Sequence, residues 1–389
     1  MKTVLISLLM IVLLIPAIAL LWLWPRYDYL TGEPLPFRAE RVADHPIIHA
    51  GLSPRLSEVA GRDGYVNING PSLIRVPDWL PNPLGKYYLY FSHHKGDYIR
   101  MAYADSLEGP WTVYEPGTLT LGDSGFPFEP GAAPPVENPL QVLWNSYSIY
   151  IVRDMLLLHH RATVTDQAIR KQRGIEMAAN SQPHIASPEV IVDETNKRLL
   201  MYYHGLAGKT AQFTRIAESR DGLSFEALPG LLRSNYLRTF EYDSTWYGLA
   251  MPGILYRSGD GVDGFESRKK LLFEPDMRHA GLWLRDDTLF VFWSRVGDAP
   301  ESILVSAVDL SPPDWDDWQA TEPQELLRAE LPWEGSELQV ESSLRGELGQ
   351  PANELRDPYV FTDHDGQAYL LYVGSGEQAI GLARLVEKI

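Results

Sequence analysis

The chain has no cysteine in its 389 residues. That excludes disulfides, thiolate metal sites and a cysteine nucleophile together. It leaves the compartment open, because a core of this size needs no covalent staples. Basic residues are in deficit: Lys and Arg number 34 against 51 Asp and Glu, a formal net charge of −17. A polyanion such as a nucleic acid is repelled by that balance, and no basic footprint offsets it. No GxxxxGK or GxGxxG follows a strand pattern, so phosphate-cradling loops are absent. A Gly-x-Ser-x-Gly elbow is missing too, which removes one route to a serine nucleophile. What is present is apolar and aromatic side chains (45% and 11%), with 31 Gly and 29 Pro spread along the chain. Such a chain buries a large core and turns often, which fits many short strands better than a helical bundle.

The N-terminus carries the one long apolar run. After Met1-Lys2, residues 3–25 contain no charge, and about 20 apolar residues match the bilayer hydrocarbon core. Ala17-Ile18-Ala19 resembles a signal-peptidase site, which gives the alternative of a secreted protein. The run continues past it to Trp24, and Trp22, Trp24, Tyr27 and Tyr29 form an interfacial aromatic group. Residues 1–25 are therefore expected to be a membrane anchor or signal segment, with the remainder outside the inner membrane, periplasmic or extracellular. Residues 26–65, with Pro34, Pro36, Pro46 and Pro54, are expected to form an irregular stalk.

From residue 66 onward the chain repeats itself. The stretch 69–111 reads as a polar residue before Gly70-Pro71, an apolar strand, a turn, the strand around KYYLYFS, a polar cluster at His93-His94, and a third strand ending in ADSLEGPW. Related units begin near His184, near Tyr242, near Arg278 and near Arg356. Five units at spacings of roughly 40 to 70 residues, each of three or four strands, predict a five-bladed β-propeller, an all-β fold. The pattern breaks at about 122–180, where a Pro-rich segment precedes a stretch with Arg153, Arg161, Arg170, Lys171 and Arg173. A helical insertion between the first two blades is expected there.

In a propeller the innermost strands converge on a central pocket, so the polar residues opening each repeat should meet. These are Asn69; His184 and Glu189; a Met251-Pro252 position; Asp276, Arg278 and His279; and Arg356 with Asp357. A second ring is expected from the next strand ends: His93, His94 and Asp97, then His204, Arg295 and Asp298, then Glu377. Carboxylates, His and Arg gathered in one pocket suit a polyhydroxylated or anionic ligand and proton transfer.

KYYLYFS, IRMAYADSLEGPW and LRDPYVF are similar to the strand and Asp-Pro motifs of the five-bladed propeller glycoside hydrolases of family 43 and its clan. The resemblance covers about residues 66–389. It implies a carbohydrate substrate, no cofactor beyond a structural cation in the channel, and catalytic carboxylates flanking a glycosidic oxygen. On that likeness Glu189 is the acid and Asp357 matches the Arg-Asp-Pro element, with Asp97 or Asp276 replacing a carboxylate missing at Asn69. His94, His184, His204 and His279 are further proton carriers. Two other outcomes stay open. One is a non-catalytic carbohydrate-binding propeller. The other is a sugar phosphorylase in which Arg278, His279, Arg295 and Arg356 hold phosphate.

Overall fold

The computed structural model describes residues 29–59, 62–63, 66–127, 182–207, 211–232, 234–348 and 350–388. The expected N-terminal anchor and nearly all of the expected helical insertion lie outside these residues. Among the described residues no helix is long and apolar enough to cross a membrane.

Five antiparallel sheets form five blades, each counted outward from its innermost strand. Blade 1 runs Asn69–Arg75, Tyr87–Ser92, Tyr98–Ala104 and Thr112–Val113. Blade 2 runs Ile185–Asp193, Arg198–Ala207, Ala211–Ser219 and Glu226–Ala227. Blade 3 runs Asn235–Tyr242, Thr245–Met251, Ile254–Ser258 and Glu266–Ser267. Blade 4 runs Met277–Arg285, Thr288–Arg295, Ile303–Asp309 and Gln324–Leu327. Blade 5 runs Arg356–Thr362, Ala368–Gly374, Ala379–Glu387 and, out of sequence order, Phe37–Arg41. The innermost strands touch one another in cyclic order around the axis.

The second strands explain why such sequences form blades. Tyr87–Ser92 is buried along its whole length, because a neighbouring blade covers each face of its sheet. Strands buried on both sides read as continuous apolar runs rather than as alternation. Alternate residues then serve opposite interfaces. Leu289, Val291 and Trp293 pack toward blade 3, while Phe290 and Phe292 pack toward blade 5. Five hydrophobic clusters result, one at each blade boundary. The burial left unsolved by one small sheet is thus solved by its neighbours.

Two sequence expectations change here. The stretch expected to be a stalk contributes Phe37–Arg41, which pairs with Ala379–Glu387 from Phe37↔Glu387 to Arg41↔Ala383. Strands from the two ends of the described chain therefore share one sheet, which ties the fifth blade shut and closes the ring. The third blade opens at Asn235, not at Met251-Pro252, which lies at the far end of its second strand. The outer turns are held by aspartate side chains: Asp221 Oδ1 accepts from the backbone N–H of Leu223 and Ser224, and Asp260 Oδ1 from Val262 and Asp263. Local side-chain caps of this kind are why Asp precedes Gly in tight turns.

Candidate functional site

Every innermost strand breaks register at the same place. Pairing slips between Asn69 and Ser72, Ala186 and Glu189, Asn235 and Arg238, Arg278 and Ala280, and Arg356 and Tyr359. At each slip one residue has positive φ: Gly70 at 59°, Ser187 at 49°, Tyr236 at 55°, His279 at 40° and Asp357 at 47°. A bulge re-aims one side chain and is common beside active sites. For a non-glycine residue the left-handed region costs on the order of 1–3 kcal/mol, and such residues cluster at functional sites. Four of them in one ring make this the candidate site. At the fifth position a side chain has no room: a Cβ on Gly70 would lie 2.9 Å from the Ser187 Cα.

The ring holds two carboxylates in contrasting settings. Asp357 is buried; its Oδ2 accepts from Gly70 N–H at 3.1 Å and its Oδ1 abuts His279 Nδ1. Two lone pairs cannot meet in that way, so the proton sits on Nδ1 and Nε2 is left as the acceptor of the ring. Nε2 has no hydrogen-bond partner among the described residues. Burial, with Arg278 and His94 nearby, pushes the His279 pKa well below the usual histidine range, so the ring is neutral at pH 7. The Tyr236 ring lies 4.2 Å from that of His279 and 4.4 Å from that of His204, centroid to centroid, building an aromatic wall. Burial pushes the Tyr236 hydroxyl up to about 12, and His204 is held neutral by burial and by His184 beside it.

Glu377 is the second carboxylate. It faces His94 Nδ1 at 3.4 Å and Arg356 Nη1 at 3.2 Å, and accepts from Asn67 Nδ2 and from Asn69 Nδ2 at 3.5 Å. Burial alone would raise its pKa, but His94, ahead of Arg356 and Arg278, holds it well below the carboxylate range. Its oxygens are fully engaged. Asn69 and Gly70, adjacent in the chain, thus touch Glu377 and Asp357 respectively, so both carboxylates belong to one site. Behind them Arg356 faces Glu301 at 3.4 Å and contacts Glu354, while Arg278 faces Glu301 at 3.6 Å and donates to Leu344 O. The segment around 343–348 is tied across this end of the propeller by Lys95–Glu347 at 2.9 Å and Arg345–Asp276 at 3.3 Å.

The remaining sequence candidates are distributed differently. Glu189 does not join the carboxylates at the mouth; it lies on the axis, 2.7 Å from Arg238 Nη1. Arg238 also donates to Pro188 O at 2.8 Å, Ala280 O at 3.0 Å and Pro71 O at 3.1 Å, and stacks over Tyr359. The channel, where a structural cation was one expectation, holds this guanidinium bound to carbonyls of blades 1, 2 and 4. Asp97 is an exposed turn residue. Asp276 is paired with Arg345 toward the rim, and Arg295 with Glu274 at 2.7 Å. His184 is buried with Nδ1 donating to Gln182 O and Nε2 accepting from Gln212, and burial pushes its pKa down to about 4. His93 is likewise buried and pushed down to about 3. Among the described residues no group of three or more His, Asp and Glu could hold a metal ion.

Arg238, Tyr236, Asn67, Glu301 and Glu354 were not legible as site residues. Tyr236 and Arg238 follow from placing the third repeat at Asn235, a signal hidden because that strand lacks the Pro found after Gly70, Ser187 and Asp357. Asn67, Glu301 and Glu354 precede or link strands, and nothing in their local sequence marks them.

No protein-family model matches the chain. The uncharacterized protein R118 of Acanthamoeba polyphaga mimivirus is 32% identical over 348 residues, covering 83% of this chain and 85% of its own. Among solved structures, a protein described within the GH130 family of mannoside phosphorylases, which contains hydrolases targeting β-1,2-mannosidic linkages, aligns with a TM-score of 0.51. The identity is 11%, over 92% of this chain and 96% of that one. A glycosyl hydrolase from Bacteroides ovatus also aligns at 0.51, with 10% identity over 92% and 96%. A family 43 β-xylosidase/α-arabinofuranosidase from a compost metagenome aligns at 0.50, with 10% identity over 90% and 96%. At such identities the likeness is one of fold, and it bears out the resemblance to five-bladed propeller glycoside hydrolases. The chain belongs to the same family as the mimivirus protein R118, on the fold of the family 43 and family 130 propellers.

Proposed function

We propose that this protein is a glycan-active enzyme that hydrolyses a glycosidic bond at the ring of bulges. The observation that carries the reading is the His279–Asp357 pair, held in strained backbone beside the permanently ionised Glu377. Asp357 fixes the His279 tautomer and stabilises the imidazolium formed when Nε2 takes a proton from the attacking water. As the glycosidic bond breaks, the imidazolium returns that proton to the departing sugar oxygen, so His279 serves as general base and then as acid. Glu377, with its oxygens occupied, supplies negative charge near a developing oxocarbenium rather than moving a proton. Tyr236, backed by the buried His204, offers a neutral aromatic edge against which a sugar ring can pack.

The phosphorylase alternative finds less support. Arg278 and Arg356 are compensated by Glu301, Glu354 and Glu377, and Arg295 by Glu274 and Asp298. A phosphate dianion would meet more carboxylates than guanidinium groups there. The test is turnover of a panel of aryl-glycosides and oligosaccharides with and without inorganic phosphate. Product formed without phosphate, and lost in His279→Ala and Asp357→Asn, is the expected result. Product only with phosphate would make the protein a phosphorylase. Glycan binding with no product in either condition would make it a binding propeller.

A further inference from the structure

A second feature lies far from the bulges, on the outer rim between blades 3 and 4. There a cavity of about 620 Å³ opens beside the outer strand Glu266–Ser267 and the turn Trp315–Asp317. Arg268 lines it while being itself only 1% exposed. Its Nη2 donates to Asp316 O at 3.3 Å, but Nε and Nη1 have no hydrogen-bond partner among the described residues, and Asp316 Oδ1 stays 3.8 Å from Nε. A buried guanidinium with two unused donors is costly unless something polar enters the cavity.

The charge around it indicates what enters. Arg257 and Lys269 add two cationic groups, while Glu266, Asp314 and Asp316 add three carboxylates, Glu266 66% and Asp316 47% exposed. An isolated anion would gain from Arg268 and lose to Asp316 a few ångströms away. A neutral polyol gains from both, because each hydroxyl accepts from a guanidinium and donates to a carboxylate. The volume lies within the range that holds a small ligand. Trp315, capped on one face by Arg257 at 4.5 Å, supplies a rigid apolar floor.

We propose that this rim cavity is a second glycan-binding site, separate from the ring of bulges, that takes neutral sugar units through vicinal hydroxyls on Arg268 and Asp316. It rests on the reading of the protein as glycan-active. The substrate chain would be held at the rim while another part of it, or another chain, occupies the centre.

The experiment is co-crystallisation and calorimetric titration of the intact protein with xylohexaose and mannohexaose at up to millimolar concentration, alongside the turnover assay. The expected result is oligosaccharide in the rim cavity with hydroxyls on Arg268 Nε or Nη1. Arg268→Met, or Asp316→Ala should folding of the first variant fail, weakens that binding about tenfold or more and leaves central turnover unchanged. A rim cavity empty of both oligosaccharides overturns the inference. So does sulfate or phosphate bound there through Arg268 when neither sugar binds. Turnover with an empty rim leaves the enzymatic reading standing and this one refuted. Sugar in the rim of a protein that turns nothing over does the reverse.

Discussion

Glu189 and Asp357 are both buried carboxylates on innermost strands, yet they sit in opposite chemical situations. Glu189 lies on the axis, its charge met by a guanidinium that also binds three backbone carbonyls. Asp357 lies at the mouth, touching a neutral histidine whose far nitrogen is unpartnered among the described residues. The axis is electrostatically complete, and the mouth is complete only once a hydrogen-bond donor meets that nitrogen. Residue type is the same in both places; what differs is whether the partners of each carboxylate are already satisfied.

The widest separation between the two regions should appear in turnover. Asp357→Asn is expected to lower the rate by roughly 10²- to 10⁴-fold, the usual size of an acid–base contribution, with an unchanged circular dichroism spectrum. Glu189→Gln should leave turnover per folded molecule close to that of the parent. Equal losses in the two variants would erase the distinction. Stability should then order them the other way. Removing Arg238 as Arg238→Met leaves Glu189 buried and uncompensated, a cost of about 3–5 kcal/mol, read from denaturant midpoints. The double variant Arg238→Met/Glu189→Leu should recover part of it, because the two losses share one interaction. Additive losses would mean the pair is not coupled.

The smallest effect is in pH dependence. His184, down to about 4, and His93, down to about 3, are depressed by burial below their unfolded value near 6.5. The unfolded chain then binds more protons between those limits, so stability is full above about pH 6.5 and is lost as pH falls toward 4. Glu377, depressed by its partners, adds a second loss only below about pH 4.5. Thermal scans from pH 7.5 to 4 should show Tm falling first over the histidine window, and His184→Gln should flatten that slope. A Tm constant to pH 4.5 would show these rings to be charged already or exposed.

The register of one residue explains where sequence reading fell short. Matching Ser187-Pro188-Glu189 to Asn69-Gly70-Pro71 puts Glu189 beside the mouth. In the fold Ala186 and Ser187 are the equivalents of Asn69 and Gly70, so Glu189 corresponds to Ser72, Arg238 and Tyr359, which point to the axis. In a strand a shift of one residue exchanges the faces. Asp357 escaped the error because Arg-Asp-Pro marks its own bulge.

The sequence by itself determined the five blades, since both-face burial writes long apolar second strands and Asp-Gly turns that can be counted without coordinates. It also placed His94, His279, Arg356 and Asp357 at strand ends where they could meet. Only the tertiary structure decided which of them do meet, that Phe37–Arg41 closes the ring, and that Arg238 fills the channel. Those are contacts between residues tens to hundreds of positions apart. They follow from the angle and register at which blades pack, quantities that no local pattern of residues contains.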